Sequence, residues 1–407
     1  MALSRVDAPA PAAFPSPIIH ETVVMSQPIR LMHVITGLRR GGAEMMLYKL
    51  LLATDRSRFS SSVVSLTDEG NVGGMIRALG VPVTALGMSP RFPNPAVVLR
   101  LATLLRGGGI QAVQCWMYHA DLVGGLAAWL GGVPVIWGIR QSNFDMMSSK
   151  RSTVRIMKWC ARLSARVPSK IVACSQTARR LHQGYGYSEG KMVVIPNGFQ
   201  TDVFMPDEQA GGEVRRQLGI PEDAAVVGVV GRFDPQKDHQ SFITAAGELA
   251  RRVDLVYFLF CGDGLRADNR QLAGWIAGQG IEDRCKLLGR RDDLHRIYCA
   301  MDIMVSSSAY GEGFPNVIGE AMSCGVPCVV TDVGDSALMV GDTGRVVPPR
   351  DAVGLSTALL DLLGLPAEKR RELGAAARRR IVEHYDLPSV ADRYMALYQD
   401  VVTQCAG

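Results

Sequence analysis

Short, nearly continuous apolar runs recur along this chain and alternate with stretches of helical periodicity. Residues 226–230 and 256–261 are examples, and Gly, Pro or polar residues bound most runs. An apolar run without polar alternation indicates a strand buried on both faces, as in a parallel sheet covered by helices. The pattern therefore predicts an α/β fold with doubly wound parallel sheets. The predicted strands are 31–36, 62–66, 112–116, 133–139, 170–173, 192–195, 226–230, 256–261, 285–288, 303–306 and 327–331.

The strand pattern begins twice. Residues 31–39 and 226–232 both run from a strand through Gly to Arg, so each is predicted to open its own Rossmann-like domain. Turn residues in Ile195-Pro196-Asn197-Gly198 mark the boundary. Ligands of such sheets bind beyond the carboxyl ends of the strands, so we expect the site in a cleft between two facing domains. The predicted organisation is a disordered lead-in over 1–28, an N-terminal domain over 29–198, a C-terminal domain over 199–384 and a helix over 385–407 that packs back on the N-terminal domain.

Composition narrows the class of protein. The 407 residues suffice for two domains, and 47% hydrophobic with 20% charged residues is typical of a soluble globular protein. Nine scattered cysteines without a C-x-x-C pair indicate a reducing, cytoplasmic compartment. A net charge of +5 is too small to indicate nucleic acid. The uncharged stretch 122–139 holds five glycines and Pro134, which predicts a helix, a Gly turn and a strand instead of a membrane span.

Two carboxylates bracket a predicted helix start in Glu312-Gly313-Phe314-Pro315-Asn316-Val317-Ile318-Gly319-Glu320. Pro315 suits the first helical position, because its missing N–H would have no intrahelical partner. Free N–H groups of Gly313, Phe314 and Asn316 would then lie between the carboxylates. A helix N-terminus attracts phosphate or sugar oxygens. The element fits a ligand that is part polyol and part diphosphate, such as a nucleotide-sugar.

Two cations follow the first strand of the second domain, in Gly231-Arg232-Phe233-Asp234-Pro235-Gln236-Lys237. Arg232 and Lys237 would stand where a diphosphate arrives, and fixed cations there would stabilise the charge on a departing diphosphate. The alternative is a pair of surface cations in a polar loop. The Glu312–Glu320 element in the same domain favours the functional interpretation.

Two weaker signals lie in the first domain. Gly41-Gly42 follows its first strand, and glycines let backbone N–H groups approach a ligand closely, although a plain turn before a helix fits equally well. His119 comes just after strand 112–116, where it can face the cleft, although a lone His is more often structural. Asp121 is predicted to cap the following helix.

No pair of aspartates flanks a single residue, and no His/Cys cluster occurs, so we expect no metal to hold the diphosphate. Residues 150–170 contain seven basic residues and no acidic one. At helical spacing Arg151, Arg155, Lys158, Arg162 and Arg166 share one stripe. Such a helix can lie on an anionic membrane, and an ordinary helix with a solvated basic face is the alternative.

Taken together, these residues resemble the retaining glycosyltransferases of family 4, which adopt the GT-B fold of two facing Rossmann-like domains. The resemblance covers nearly all of the chain from about residue 30 onward. Asp335-Ser336 replaces the small residue that the family typically has after Gly334, and His239 follows Lys237-Asp238. The most specific matches are Glu312-x7-Glu320, residues 321–327, 331–334 and 343–349, with Ile195-Pro196-Asn197-Gly198 and Gly231-Arg232…Lys237 as independent ones.

The resemblance implies roles for these residues. Glu320 would accept hydrogen bonds from the ribose, Glu312 would contact the donor sugar, and Arg232 with Lys237 would hold the diphosphate. The departing phosphate itself would deprotonate the acceptor, in a same-face attack that retains anomeric configuration. The remaining residues implied around the donor are Gly41, Gly42, His119, Gly262, Arg291, Gly313, Phe314 and Asn316.

The leading hypothesis is a cytoplasmic retaining transferase with a nucleotide-sugar co-substrate, a UDP-linked donor being favoured, and no metal or other cofactor. The acceptor would be a glycan or a lipid-linked glycan of bacterial cell-surface polysaccharide, with peripheral attachment at the inner face of the plasma membrane through residues 150–170. A nucleotide-sugar epimerase of the same fold and a non-catalytic nucleotide-sugar binding subunit are the alternatives. An NAD-dependent dehydrogenase is disfavoured, because neither domain shows G-x-G-x-x-G after its first strand.

Overall fold

Two parallel sheets organise the chain, of which the computed structural model describes residues 27–89, 94–142 and 151–406. Most of the predicted lead-in, residues 1–26, lies outside the described residues, as does Lys150. The strands of the N-terminal sheet are β1 (Ile29–Ile35), β2 (Phe59–Ser65), β3 (Val83–Ala85), β4 (Ala112–Trp116), β5 (Val135–Ile139), β6 (Lys170–Ala173) and β7 (Met192–Val194). Those of the C-terminal sheet are β8 (Ala225–Val230), β9 (Val256–Cys261), β10 (Cys285–Gly289), β11 (Ile303–Ser306), β12 (Cys328–Thr331) and β13 (Arg345–Val347).

Helices connect the strands on both faces of each sheet. The N-terminal helices are α1 (Gly42–Ala53), α2 (Gly70–Ala78), α3 (Ala96–Gly107), α4 (Tyr118–Gly131), α5 (Arg151–Leu163) and α6 (Gln176–Gly184). The C-terminal helices are α7 (Glu208–Gln217), α8 (His239–Ala250), α9 (Arg270–Ala277), α10 (Leu294–Cys299), α11 (Asn316–Ser323), α12 (Ser336–Val340), α13 (Ala352–Leu363) and α14 (Ala367–Tyr385), followed by α15 (Leu387–Ala406).

The strand orders show the doubly wound topology. They are β3-β2-β1-β4-β5-β6-β7 in the N-terminal sheet and β10-β9-β8-β11-β12-β13 in the C-terminal sheet. In each sheet the chain starts at an inner strand, moves to one edge, and then returns to the other side of that strand. The point of return is β1–β4 in one sheet and β8–β11 in the other, and ligands of such sheets bind there.

The burial of β4 explains why its sequence lacks polar alternation. Val113 and Cys115 point into the core under one layer of helices, and Ala112 and Trp116 point into the core on the opposite face. On that second face the ring of Trp116 stacks on Tyr394 of α15, with centroids 6.2 Å apart. A strand covered on both faces needs apolar residues at successive positions.

Helix α15 returns from the C-terminal domain to cover the N-terminal sheet. Its residues Leu387, Val390 and Tyr398 lie in the same core cluster as Leu47 of α1. The chain therefore crosses between the domains twice. The two crossings are hydrogen-bonded to each other, from Phe199 N to Tyr385 O (2.9 Å) and from Leu387 N to Phe199 O (2.8 Å).

The predicted fold class is confirmed, and the eleven predicted strands are all present, with ends that shift by at most three residues. Two three-residue strands at sheet edges, β3 and β13, were not predicted from the sequence. Pro315 precedes α11 instead of opening it. The exact domain limits at 198 and 384 stay predictions.

The uncharged stretch 122–139 contains most of α4, a turn at Gly132 (φ +68°) and β5, as predicted. Within the described residues, no helix combines the length and the apolar character that a membrane span requires.

Candidate active site

A cavity of about 560 Å³ lies between the two domains, beyond the carboxyl ends of the inner strands. Ten of the twelve predicted site residues line it, and two do not. Its volume is within the range of small-molecule and cofactor sites. The ten are Gly41, Gly42, Arg232, Lys237, Gly262, Arg291, Glu312, Gly313, Phe314 and Asn316.

Glu312 and Lys237 form an ion pair in the cleft. Lys237 Nζ lies 2.5 Å from Glu312 Oε1, and Ser308 Oγ donates a hydrogen bond to the same oxygen at 2.7 Å. The Glu312 side chain is only 9% exposed. The two residues follow β11 and β8, which are neighbours in the sheet, so both side chains reach the same edge. The carboxylate is therefore held in one position before any ligand arrives.

The backbone around Lys237 is fixed by local caps and one close glycine contact. Asp234 accepts a hydrogen bond from Gln236 N at 2.9 Å, which starts the short turn that carries Lys237. Gly262 has φ +148°, and a Cβ there would lie 1.8 Å from Gly231 O. Only glycine fits this contact between the ends of β8 and β9.

Arg232 stands at the rim of the cavity. Its side chain is 65% exposed, and its guanidinium lies 3.6 Å from Asp234 Oδ2. This exposed ion pair is weak, so the guanidinium can turn toward an anion in the cleft. Arg291 is more tightly held, because Nε and Nη2 donate to both oxygens of Asp293 at 2.8 and 2.7 Å. That pair raises the pKa of Arg291 and lowers the pKa of Asp293.

We define the Glu312 loop as residues 307–315, between β11 and α11. Its end contacts the N-terminal domain through Asn197, whose Nδ2 donates to Phe314 O (3.1 Å) and to Asn316 Oδ1 (2.8 Å). A Cβ on Gly313 would lie 3.0 Å from Cys174 Sγ, at the end of β6. The loop is thus packed directly against the opposite domain.

The glycine pair faces the same helix start. Gly41 and Gly42 lie at the N-terminus of α1, and a Cβ on Gly42 would be 4.0 Å from Asn316 Nδ2. The N-termini of α1 and α11 therefore approach each other across the cleft. Both helix ends present unpaired N–H groups and partial positive charge to one region.

Glu320 is one of the two predicted residues that do not line the cavity. It lies one turn inside α11, buried, where Tyr298 donates a hydrogen bond to Oε2 at 3.2 Å. Lys49 of α1 approaches Oε1 at 3.7 Å. Burial raises the pKa of Glu320, and the Lys49 ammonium opposes that rise. Lys49 was not predicted from the sequence.

His119 is the other predicted residue that does not line the cavity. Helix α4 begins at Tyr118, so His119 is its second residue and is half-buried. Met117 lines the cavity instead, with a left-handed φ of +71°. The prediction that Asp121 caps the helix is wrong, because Asp121 is buried in the first turn and accepts a hydrogen bond from Gly138 N at 2.9 Å.

Arg140 is a further cation of the cleft that was not predicted from the sequence. Its guanidinium lies over the Trp116 ring, 5.2 Å from the centroid, and donates to Tyr394 OH (3.0 Å) and to Asn197 Oδ1. The only sequence signal that Arg140 lines the cleft is its position directly after β5. Arg140 ties the interdomain crossing and α15 to the floor of the site.

Residues 151–163 of the basic segment form α5, which lies apart from the cleft. The predicted helical stripe is too long, because α5 ends at Leu163 and Arg166 follows it in a turn. Arg155, Lys158 and Arg162 are exposed, and Trp159 is 50% exposed with the Arg162 guanidinium 5.5 Å from its centroid. Met157 and Cys160 are buried on the opposite face. Among the described residues, no group of three or more His, Cys, Asp or Glu side chains is arranged to hold a metal ion.

Comparison with known families matches both domains. Residues 40–203 match the model of Glycosyltransferase Family 4, and residues 224–364 match that of Glycosyl transferases group 1. EpsF of Bacillus subtilis (strain 168), which is named as a glycosyltransferase, is 28% identical over 74% of this chain and 79% of its own length. The UDP-Gal:alpha-D-GlcNAc-diphosphoundecaprenol alpha-1,3-galactosyltransferase of Escherichia coli is 26% identical over 80% of this chain and 84% of its own.

Solved structures share the fold. Anabaena Alr3699/HepE in complex with UDP-glucose superposes with a TM-score of 0.78 at 22% identity, covering 91% of this chain and 100% of that one. The two facing Rossmann-like domains and the cleft between them define the GT-B fold. The chain belongs to the family 4 glycosyltransferases. The expected activity, glycosyl transfer from a nucleotide-sugar, is confirmed at the level of the family.

Proposed function

We propose that this enzyme is a retaining, metal-independent transferase that moves a hexosyl group from a UDP-sugar to a lipid-linked glycan during assembly of a bacterial exopolysaccharide or lipopolysaccharide. The observation that carries the proposal is the Lys237–Glu312 pair at the N-terminus of α11, with Arg232 at the rim. The E. coli relative is named for a UDP-Gal donor and a diphosphoundecaprenol-linked acceptor, and the Anabaena structure contains UDP-glucose, which supports this donor and acceptor.

The charges of the cleft fit a nucleoside diphosphate donor. Arg232 and Lys237 supply two cations at the end of β8, and the N–H groups at the start of α11 supply further donors. On departure of the diphosphate its negative charge grows, and preformed cations stabilise that charge without reorganisation. Protein side chains and backbone N–H groups thus neutralise the diphosphate, and we therefore propose a reaction without metal.

The state of Glu312 supports the same-face attack that we propose for retention. Its Oε1 already accepts from Lys237 and Ser308, so the carboxylate is a poor nucleophile and a good fixed acceptor for sugar hydroxyls. In the proposed step the acceptor hydroxyl attacks the anomeric carbon on the face that the phosphate leaves. The C–O bond to the phosphate breaks, and the departing phosphate oxygen takes the hydroxyl proton.

A panel of nucleotide-sugars tests the donor. A cognate UDP-sugar at about 100 times its Kd should stabilise the fold by about 2.7 kcal/mol, seen as a rise in Tm.

NMR of the product should show the anomeric configuration of the donor, and EDTA should leave the rate unchanged. An inverted product would contradict retention, and loss of activity in EDTA that Mg²⁺ restores would contradict metal independence. Epimerised or hydrolysed donor without acceptor would instead indicate the alternative enzyme.

We further propose that the exposed face of α5 binds an anionic membrane, since it combines Arg155, Lys158 and Arg162 with the half-exposed Trp159. Changing the three cations to Gln should abolish co-sedimentation with phosphatidylglycerol vesicles and leave the fold intact. A matched control removes three exposed cations of the C-terminal domain, Arg216, Arg252 and Lys369. Equal loss in both variants, or in neither, would contradict a specific membrane face.

A further inference from the structure

Asp335 lies in the C-terminal domain, but its carboxylate contacts the N-terminal domain. Asp335 Oδ2 accepts a hydrogen bond from Gln176 N at 2.7 Å, and Oδ1 accepts one from Thr177 N at 2.9 Å. These are the first two N–H groups of α6. The residue is 3% exposed. A carboxylate from one domain therefore caps a helix of the other.

The helix does not complete its own N-terminus. Ser175, its N-cap residue, accepts a hydrogen bond from Ala178 N at 2.9 Å and satisfies only that N–H. The N–H groups of the first turn have no intrahelical partner, and a negative charge near them is favourable because of the helix dipole. Thus α6 has its full set of partners only when the two domains meet at Asp335.

The same turn of the C-terminal domain supports the Glu312 loop. Asp335 N donates to Gly313 O at 3.2 Å. Gly334 has φ +66°, and a Cβ there would lie 2.2 Å from Glu312 O, so its backbone packs directly on the loop. Thr177 Oγ1 adds a hydrogen bond to Gly334 O at 3.1 Å. One two-residue segment thereby joins the loop to α6.

We propose that Asp335 is a positioning residue that couples the Glu312 loop to closure of the cleft. Its carboxylate bonds α6 only while the domains are together, and its backbone holds Gly313 at the same time. When the cleft opens, the carboxylate and the two N–H groups of α6 face water. The closed state, with Glu312 in place, is therefore favoured by Asp335, and any ligand that needs that state binds more tightly.

The test compares Asp335→Ala and Asp335→Asn with Ser175→Ala, which removes a cap of the same helix without touching the domain contact. Amide exchange of Gln176 and Thr177 should accelerate at least about tenfold in Asp335→Ala, while Ala178 stays protected. Ser175→Ala should show the reverse pattern. UDP, the probe, should bind about tenfold more weakly to Asp335→Ala, within the usual range of coupling between sites, and within about twofold of wild type to Ser175→Ala. Asp335→Asn keeps one acceptor oxygen and should fall between.

Small-angle scattering distinguishes a role of Asp335 in closing the cleft from a role as a cap of α6 alone. The radius of gyration of unliganded Asp335→Ala should exceed that of wild type, and UDP should bring the two closer. Equal radii together with equal UDP affinities would overturn the proposal and leave Asp335 as a helix cap. The UDP readout rests on the proposed function, whereas the unliganded radius and the amide exchange do not. If wild type fails to bind UDP, the proposed UDP-sugar donor is wrong. The unliganded radius of gyration and the amide exchange would still decide the role of Asp335.

Discussion

Lys49 of α1 and Glu320 of α11 form a buried ion pair across the domain boundary. Nζ lies 3.7 Å from Oε1, and the two side chains are 9% and 12% exposed. The Lys49 ammonium also lies 6.0 Å from the centroid of the Phe199 ring. The family resemblance assigns Glu320 to the ribose, so we expect the N-terminal domain, through Lys49, to influence the charge of that residue.

Replacing Lys49 by Met should destabilise the protein by about 3–5 kcal/mol at neutral pH, because the Glu320 carboxylate is left buried without its partner. The pKa of Glu320 is already raised by burial. Without Lys49 the Glu320 carboxylate therefore binds a proton more tightly in the folded state than in the unfolded state. The loss in free energy of unfolding should then shrink as the pH falls. Urea unfolding at neutral and acidic pH measures the loss in free energy of unfolding and its dependence on pH. A deficit that is equal at the two pH values would contradict the ion pair, and a Lys49→Met/Glu320→Leu double variant should recover most of the loss.

Lys237→Ala and Arg232→Ala should each lower kcat by roughly a hundredfold or more, because preformed cations at the departing diphosphate act mainly in the transition state. Lys237→Ala should have the larger effect, since it also leaves the buried Glu312 without its partner. Arg251→Ala is the control, because it removes an exposed arginine that pairs with Glu248 outside the cleft. Steady-state kinetics with the cognate donor measure kcat for each variant. An unchanged kcat in either cleft variant would refute the role of that residue in stabilising the departing diphosphate.

Gly262→Ala should abolish donor binding or prevent folding, because the new Cβ would meet Gly231 O at 1.8 Å and the φ of +148° excludes other residues. Gly274→Ala is the matched control. It lies in α9 with no atom within 4 Å of the new Cβ, so it should raise the free energy of unfolding by about 0.5–1 kcal/mol. Thermal unfolding with and without UDP compares the two. Normal UDP binding by Gly262→Ala would contradict the close contact.

The sequence predicted that Glu312 and Lys237 belong to one site, although the two residues are 75 positions apart, and their direct contact is a finding of the structure. Both follow strands of one parallel sheet, and the carboxyl ends of such strands share an edge. Gly262 and Arg291 were implied by the family resemblance and not by this rule, and both line the cavity. Strand ends can be read from local apolar runs, so contacts that depend only on the order within one sheet are accessible from sequence.

Contacts between the domains were not accessible in this way. Lys49 and Asp335 acquire their partners only because the two domains face each other. Arg140 acquires Tyr394 because α15 packs back on the N-terminal domain, and no local pattern encodes either arrangement. His119 does not line the cavity for a different reason. The sequence analysis placed the cap of the helix at Asp121, but α4 already begins at Tyr118, so Met117 and not His119 lies at the cavity.

Acid should destabilise the protein partly through His182, whose buried ring is neutral. Nδ1 donates to Ala178 O at 2.7 Å and Nε2 accepts from Tyr118 OH at 2.7 Å, an assignment fixed by the carbonyl partner. Burial lowers the pKa of His182 from 6.5 to about 4. The unfolded state therefore takes up a proton first, so this stability is present above about pH 6.5 and is lost as the pH falls through about 4, a change of about 3 kcal/mol. Urea unfolding across this window should show a shallower decline in His182→Gln, with a residual slope from His33, whose pKa burial lowers to about 3. Equal slopes in the two proteins would show that His182 does not stay neutral in the fold.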